Sequence, residues 1–179
     1  MNLVRTTLAV AMIVASALPA EAIPADPDPT FSDDGRTVIE IASAAEADAV
    51  AMQGTNIVVG GTREVGPWDM VIARLTPRGA VDTTFSKDGS VSVKASAYGD
   101  WLEDLVVAPD GKIVAAGGVF DEDRRSGVLV VRLKPNGALD PTFGGDGIVI
   151  TTLPGTAYAA TVALTPDGKI VVGGGLRRG

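Results

Sequence analysis

The sequence predicts an all-β chain built of tandem four-stranded antiparallel sheets, and three observations carry that prediction. One motif is written three times, as Asp28-Pro29-Thr30-Phe31-Ser32-Asp33-Asp34-Gly35, Asp82-Thr83-Thr84-Phe85-Ser86-Lys87-Asp88-Gly89 and Asp140-Pro141-Thr142-Phe143-Gly144-Gly145-Asp146-Gly147. Its Asp, Thr, Phe, Asp and Gly keep fixed offsets, and the Phe-to-Phe steps are 54 and 58 residues. A period of that size marks repeated supersecondary units. Between the motifs lie short apolar runs separated by turn residues, four to a repeat. The composition agrees: 22 Gly and 11 Pro with 46% hydrophobic and only 4% aromatic residues suit many short strands joined by tight turns.

Taken in order, residues 1–22 read as a secretory signal. Arg5 supplies a positive start, Leu8 to Leu18 an apolar stretch, and Ala20-Glu21-Ala22 a small-x-small cleavage pattern, so the mature chain is expected to begin at Ile23. The apolar stretch is too short for a membrane anchor, since crossing about 30 Å of hydrocarbon takes roughly 20 helical residues. Residues 23–27 form a Pro-rich, extended lead-in. Repeats follow at 28–81 and 82–139, with an incomplete repeat at 140–179.

Each repeat is read as four strands after its motif. In the first they are Val38-Ile39-Glu40-Ile41, Ala49-Val50-Ala51-Met52, Ile57-Val58-Val59-Gly60 and Met70 to Leu75. The second has Ser90 to Lys94, which alternates, then Leu105 to Ala108, Ile113 to Gly117 and Val128 to Leu133. The third supplies Ile148 to Thr151, Thr161 to Leu164 and Ile170 to Gly173. Pro109-Asp110-Gly111 and Pro166-Asp167-Gly168 close the central hairpins; Pro presets φ, Asp accepts from the backbone and Gly supplies positive φ. Strands apolar on both faces need neighbours on both sides. Sheets packed face to face in series are the blades of a partial β-propeller, and a stacked solenoid has no use for a four-strand meander. Propellers close with about 4–8 blades. The run that ends at Gly179 is therefore expected to be a severed propeller, with Ile170-Val171-Val172 as an open edge.

Three linked motifs (Asp-x-Thr-Phe-x-x-Asp-Gly, the Pro-Asp-Gly-Lys-Ile-Val hairpin and the Val-Val-Arg-Leu-x-Pro-x-Gly strand end) resemble bacterial delta-60 repeats over roughly residues 26 to 179. That resemblance implies an exported β-propeller of unknown function and carries no catalytic residues with it.

Composition excludes much chemistry. With no Cys and no His, disulfides, thiolate zinc sites, cysteine nucleophiles, Ser-His-Asp triads and imidazole acid–base catalysis are absent. A net charge of −7 argues against nucleic acid and against anionic membrane surfaces. No cofactor, metal or catalytic set is expected.

The candidate residues divide by role. Asp28, Thr30, Phe31, Gly35, Asp82, Thr84, Phe85, Gly89, Asp140, Thr142, Phe143 and Gly147 form the structural repeat motif, with the three Phe as plugs between neighbouring sheets. Arg74 and Arg132 sit inside apolar strands and need carboxylates; Asp82 and Asp140, eight residues on, are the expected partners of a buried brace rather than part of an anion site. The Asp-Gly turns lack the EF-hand and nonapeptide calcium spacings, so turn formation is their expected role. Asp121-Glu122-Asp123, beside Arg124 and Arg125, reads as a solvated loop. Gly60-Gly61, Gly117-Gly118 and Gly173-Gly174 open no helix and so cannot be phosphate loops. Trp68, Trp101 and Tyr98 lie in or beside inter-strand loops, where a rigid scaffold carries binding function. Loops 61–69 and 119–127 would form a recognition surface for a protein or glycan partner.

Two functions follow as expectations. One is a secreted or periplasmic binding scaffold, which could also self-associate through its open last sheet. The other is a fragment of a propeller enzyme, a lyase or quinoprotein-like protein, whose site lies outside this chain. The export reading predicts that bacterial expression yields protein outside the cytoplasm beginning at Ile23. N-terminal sequencing decides it; intact Met1 protein in the cytosol would refute it.

Overall fold

The structure, a computed structural model, describes residues 27–41, 45–64 and 66–177. It contains β1 (Ala45–Gln53), β2 (Asn56–Glu64), β3 (Trp68–Leu75), β4 (Ser90–Val93), β5 (Asp100–Val107), β6 (Ile113–Phe120), β7 (Ser126–Leu133), β8 (Ile148–Thr151), β9 (Thr156–Leu164) and β10 (Ile170–Arg177). These strands make two four-stranded antiparallel sheets, β1-β2-β3-β4 and β5-β6-β7-β8, and an antiparallel pair, β9-β10. Residues 1–26 and 178–179, and with them the signal sequence and most of the lead-in, lie outside the described residues.

The sheets are out of phase with the sequence repeats. Ser90–Val93, expected to open the second repeat's sheet, is instead the fourth strand of the first, and Ile148–Thr151 stands likewise in the second. The turn chemistry explains this. The motif ends in a tight reversal: Asp82 N–H donates to Arg74 O, and Arg74 N–H in turn donates to Gly89 O. That reversal lays the chain back against the strand it has just left. Val38–Ile41 occupies the same place relative to its own motif, but forms no strand among the described residues. Thr37 and Ile39 are buried there all the same, and among the described residues no strand pairs with this segment.

The inner strands β1, β5 and β9 are longer than their apolar runs, because each carries a bulge, at Ala47/Ala49, at Leu102/Asp104 and opposite Gly173/Gly174. A bulge seats two residues opposite one and re-aims a side chain. Its cost falls on the facing glycine: a Cβ on Gly61, Gly117 or Gly174 would lie 1.8, 2.0 or 1.9 Å from the carbonyl oxygen of Glu46, Trp101 or Tyr158. These glycines are thus required by close backbone approach.

Three apolar layers hold the sheets in series. Val58, Met70, Ile72 and Phe85 meet Leu102, Leu105, Ile113 and Val131 between the first and second sheets. Val114, Ala116 and Val130 meet Ala159 and Val162 between the second sheet and the β9-β10 pair. On the outward face of the first sheet, Phe31 and Ile39 cover Ile57, Val59, Ala73 and Leu75. Full burial of each such side chain contributes about 1.5–3 kcal/mol. With both faces occupied, β2, β3, β6 and β7 need continuous apolar sequence.

Candidate binding site at the loop end

The sheet stack has two ends of different character. One carries the repeated motifs. In each motif, the Asp Oδ1 accepts from the backbone N–H and the hydroxyl of the Thr two residues on: Asp28 from Thr30, Asp82 from Thr84, Asp140 from Thr142. The two residues after Phe are left-handed, Ser86 and Lys87 at φ 49° and 79°; the third copy places Gly144 and Gly145 there. Gly35, Gly89 and Gly147 close the turns at positive φ. Phe31 and Phe85 are buried beneath the turns that follow β3 and β7, at Gly79 and Gly137, while Phe143 is only half-buried.

Arg74 Nε donates to Asp82 Oδ2 at 2.8 Å, and its other nitrogens reach Gln53 Oε1, Thr84 Oγ1 and, in the next sheet's turn, Pro135 O. Its guanidinium stacks 4.9 Å from the Phe85 ring. Arg132 repeats the arrangement with Asp140 at 2.9 Å, Thr142 and the Phe143 ring. The Thr142 hydroxyl, then its N–H, Arg132 and Lys112 hold the Asp140 carboxyl down at about 2. These groups are spent on one another, as befits bracing. The turn aspartates Asp34, Asp88 and Asp146 likewise cap their own backbone at Arg36, Ser90 and Ile148. Among the described residues no group of three or more acidic side chains is placed to hold a metal ion.

The opposite end is built of the connections β2–β3, β4–β5, β6–β7 and β8–β9. Its anchor is Asp100, fully buried at the start of β5. Its two oxygens accept from Met70 N–H and Ala95 N–H, both at 2.8 Å, which ties the loop at 94–99 to β3. Burial raises its pKa, against the pull of those N–H donors. Tyr98 and Trp68 line one small groove with Phe120. Trp68 opens strand β3 beside its loop, and Trp101 lies within β5, whose bulge lets it begin well before its apolar run. The Trp101 ring lies flat over Gly118, where a Cβ would come within 2.1 Å of it. Phe120 joins the two tryptophans, with ring centroids 6.4 Å from Trp68 and 4.9 Å from Trp101.

Beside this cluster a cleft of about 600 Å³ opens between Tyr98, Phe120, Asp121, Arg125, Ile150 and Leu153. Arg125 pairs with Asp121 and Asp123, which fixes the acidic loop as one wall. On the other side of the tryptophans, Glu46, Asp48, Glu64 and Glu103 line a smaller groove. Asp48 and Glu103 occupy the bulge positions of their strands, which turn both toward the groove. Burial, then Glu46 and Glu103, raise the Asp48 pKa. Phe120 and this acidic set were not legible as site residues. The alternation within β6 hides Phe120 at a strand end, and no sequence signal locates a bulge.

Residues 56–85 and 108–143 match the family described as Domain of unknown function (DUF5122) beta-propeller. The sheets are β-propeller blades. Each matched stretch runs from the second strand of a sheet through the third to the motif Phe. No curated protein matches the chain.

The brace predicts an acid response. A carboxylate held below its ordinary 3.8 stabilises the fold above that value and loses this contribution as pH falls toward about 2. Asp48 and Asp100, whose pKa values are raised, act with the opposite sign. Urea midpoints of wild type and Asp140→Asn should therefore differ most above about pH 4 and converge by about pH 2. A difference that stays constant across that window would show that the charge of Asp140 plays no part.

Proposed function

We propose that this chain is an exported binding module of the delta-60 repeat type, and that its loop end recognises a glycan. The observation that carries the reading is the aromatic cluster. Tyr98, 44% exposed, lines the cleft of about 600 Å³, and Trp68, 43% exposed, lines an adjoining groove with Tyr98 and Phe120, while buried Asp100 holds the nearby backbone at Met70 and Ala95. Exposed rings on a rigid frame offer flat apolar faces for stacking at low entropic cost. Asp121 and Arg125 on the facing wall supply acceptors and donors for ring hydroxyls. The absence of Cys and His removes thiol and imidazole catalysis from this end.

The test is a screen of soluble bacterial and host glycans by intrinsic tryptophan fluorescence, followed by titration. Trp68→Ala and Tyr98→Ala should each weaken binding at least tenfold without changing the thermal midpoint. Glycan affinity unchanged in both variants, or no glycan bound at all, would overturn the reading.

A further inference from the structure

Asp82 and Asp140 pair with Arg74 and Arg132, and Asp121 and Asp123 pair with Arg125. The groove lined by Glu46, Asp48, Glu64 and Glu103 differs: among the described residues none of these four carboxylates has an ion-pair partner. The pleat of β2 explains why. Glu46 stands opposite Thr62 and Glu64 opposite Trp68, so all four lie on the sheet face whose Met70 packs with Leu102 of β5. Arg63, between Thr62 and Glu64, belongs to the other face, where Asp69 takes it at 2.7 Å. The bulges of β1 and β5 then add Asp48 and Glu103 to the same groove.

Trp68 joins this groove to an aromatic one. It lines both the acidic groove, of about 310 Å³, and the groove of about 280 Å³ that holds Tyr98, Phe120 and Arg124. Arg124 stacks 5.6 Å over the Phe120 ring. The surface on either side of Trp68 is therefore polarised, with carboxylates on one side and a guanidinium on the other. The carboxylates do not converge on a point, since among the described residues no group of three is placed to hold a metal ion. A primary ammonium suits such a spread, because its three donors can be shared among separate acceptors. Hydrogen bonds from a cation to carboxylates are roughly twice as strong as neutral ones.

We propose that the glycan taken at the loop end is an amino sugar with a free amine, its ring stacked on Trp68 and its ammonium held in the acidic groove. This rests on the glycan reading above and names the class within it. The two grooves meet at one exposed ring, which matches a ligand whose charge sits directly on a flat-faced body. A lysine side chain carries its charge at the end of a flexible stem and makes no use of Tyr98. Arg124 opposes a second positive charge beyond Trp68, so one free amine is favoured over a run of them.

Calorimetric titration of the purified chain tests this with two disaccharides, N,N′-diacetylchitobiose and its mono-de-N-acetylated form, at mildly acidic pH where the amine is protonated. The cationic sugar should bind at least tenfold more tightly, and added salt should shrink that advantage. Glu46→Gln combined with Glu64→Gln should bring the two sugars to equal affinity; both side chains are exposed, so the thermal midpoint should not fall. Trp68→Ala should weaken both sugars. Equal affinity of wild type for the two would overturn this inference while leaving the glycan reading in place. Failure of both sugars to bind would overturn it too, and the broader glycan screen then decides the parent reading separately. A trilysine peptide that binds as tightly as the cationic sugar, and is indifferent to Trp68→Ala, would show a site for basic peptides instead.

Discussion

The architecture depends on a latch between consecutive sheets. The motif that follows one sheet's third strand is locked by the turn that follows the third strand of the next sheet: Phe85 is fully buried against Gly137, Ser86 N–H donates to Asn136 O, and Arg74 reaches Pro135 O. The first motif is held in the same way, with Phe31 against Gly79 and Ser32 N–H on Arg78 O. Gly79 and Gly137 are doubly constrained, by φ values of 84° and 87° and by the ring above them. Because the latch joins neighbours, stability in this chain resides in interfaces as much as in sheets, which is the behaviour expected of repeat proteins.

The latch also divides the labour between the two ends of the molecule. Its polar groups saturate one another: Asp82 is shared among Thr84, Arg74 and its own turn, and the Arg74 guanidinium is taken up by carboxylate, hydroxyl, amide and carbonyl oxygens. A buried cation in such a setting braces, since removing one partner would strand a charge at about 3–5 kcal/mol. The loop end has the converse character, with exposed rings and acidic walls standing on backbone that Asp100 holds still.

Much of this was legible in the sequence, for physical reasons that differ by element. The motif residues, the Arg–Asp spacing and the hairpin turns act locally, so their roles follow from side-chain chemistry and φ preferences alone. Strand grouping was not legible. Ser90–Val93 has the same pattern whether it opens one sheet or closes another, and only the Arg74–Gly89 and Asp82–Arg74 bonds decide. Bulges were equally hidden, so the reach of β5 to Trp101 and the clustering of Glu46, Asp48 and Glu103 emerge only from register. The paired glycines lie within strands, and the reason for Gly61, Gly117 and Gly174, a carbonyl within about 2 Å of any added Cβ, is tertiary.

The central claim is that the plug residue works through the turn after the third strand of the neighbouring sheet and not within its own motif. Phe85 and Phe143 occupy one motif position, but Phe85 has that turn above it and Phe143 is half-buried. Equilibrium unfolding of Phe85→Ala and Phe143→Ala compares them directly. Phe85→Ala should cost about 3–5 kcal/mol, the range for a large cavity in a packed core. Phe143→Ala should cost less than half as much. Equal losses at the two positions would contradict the account.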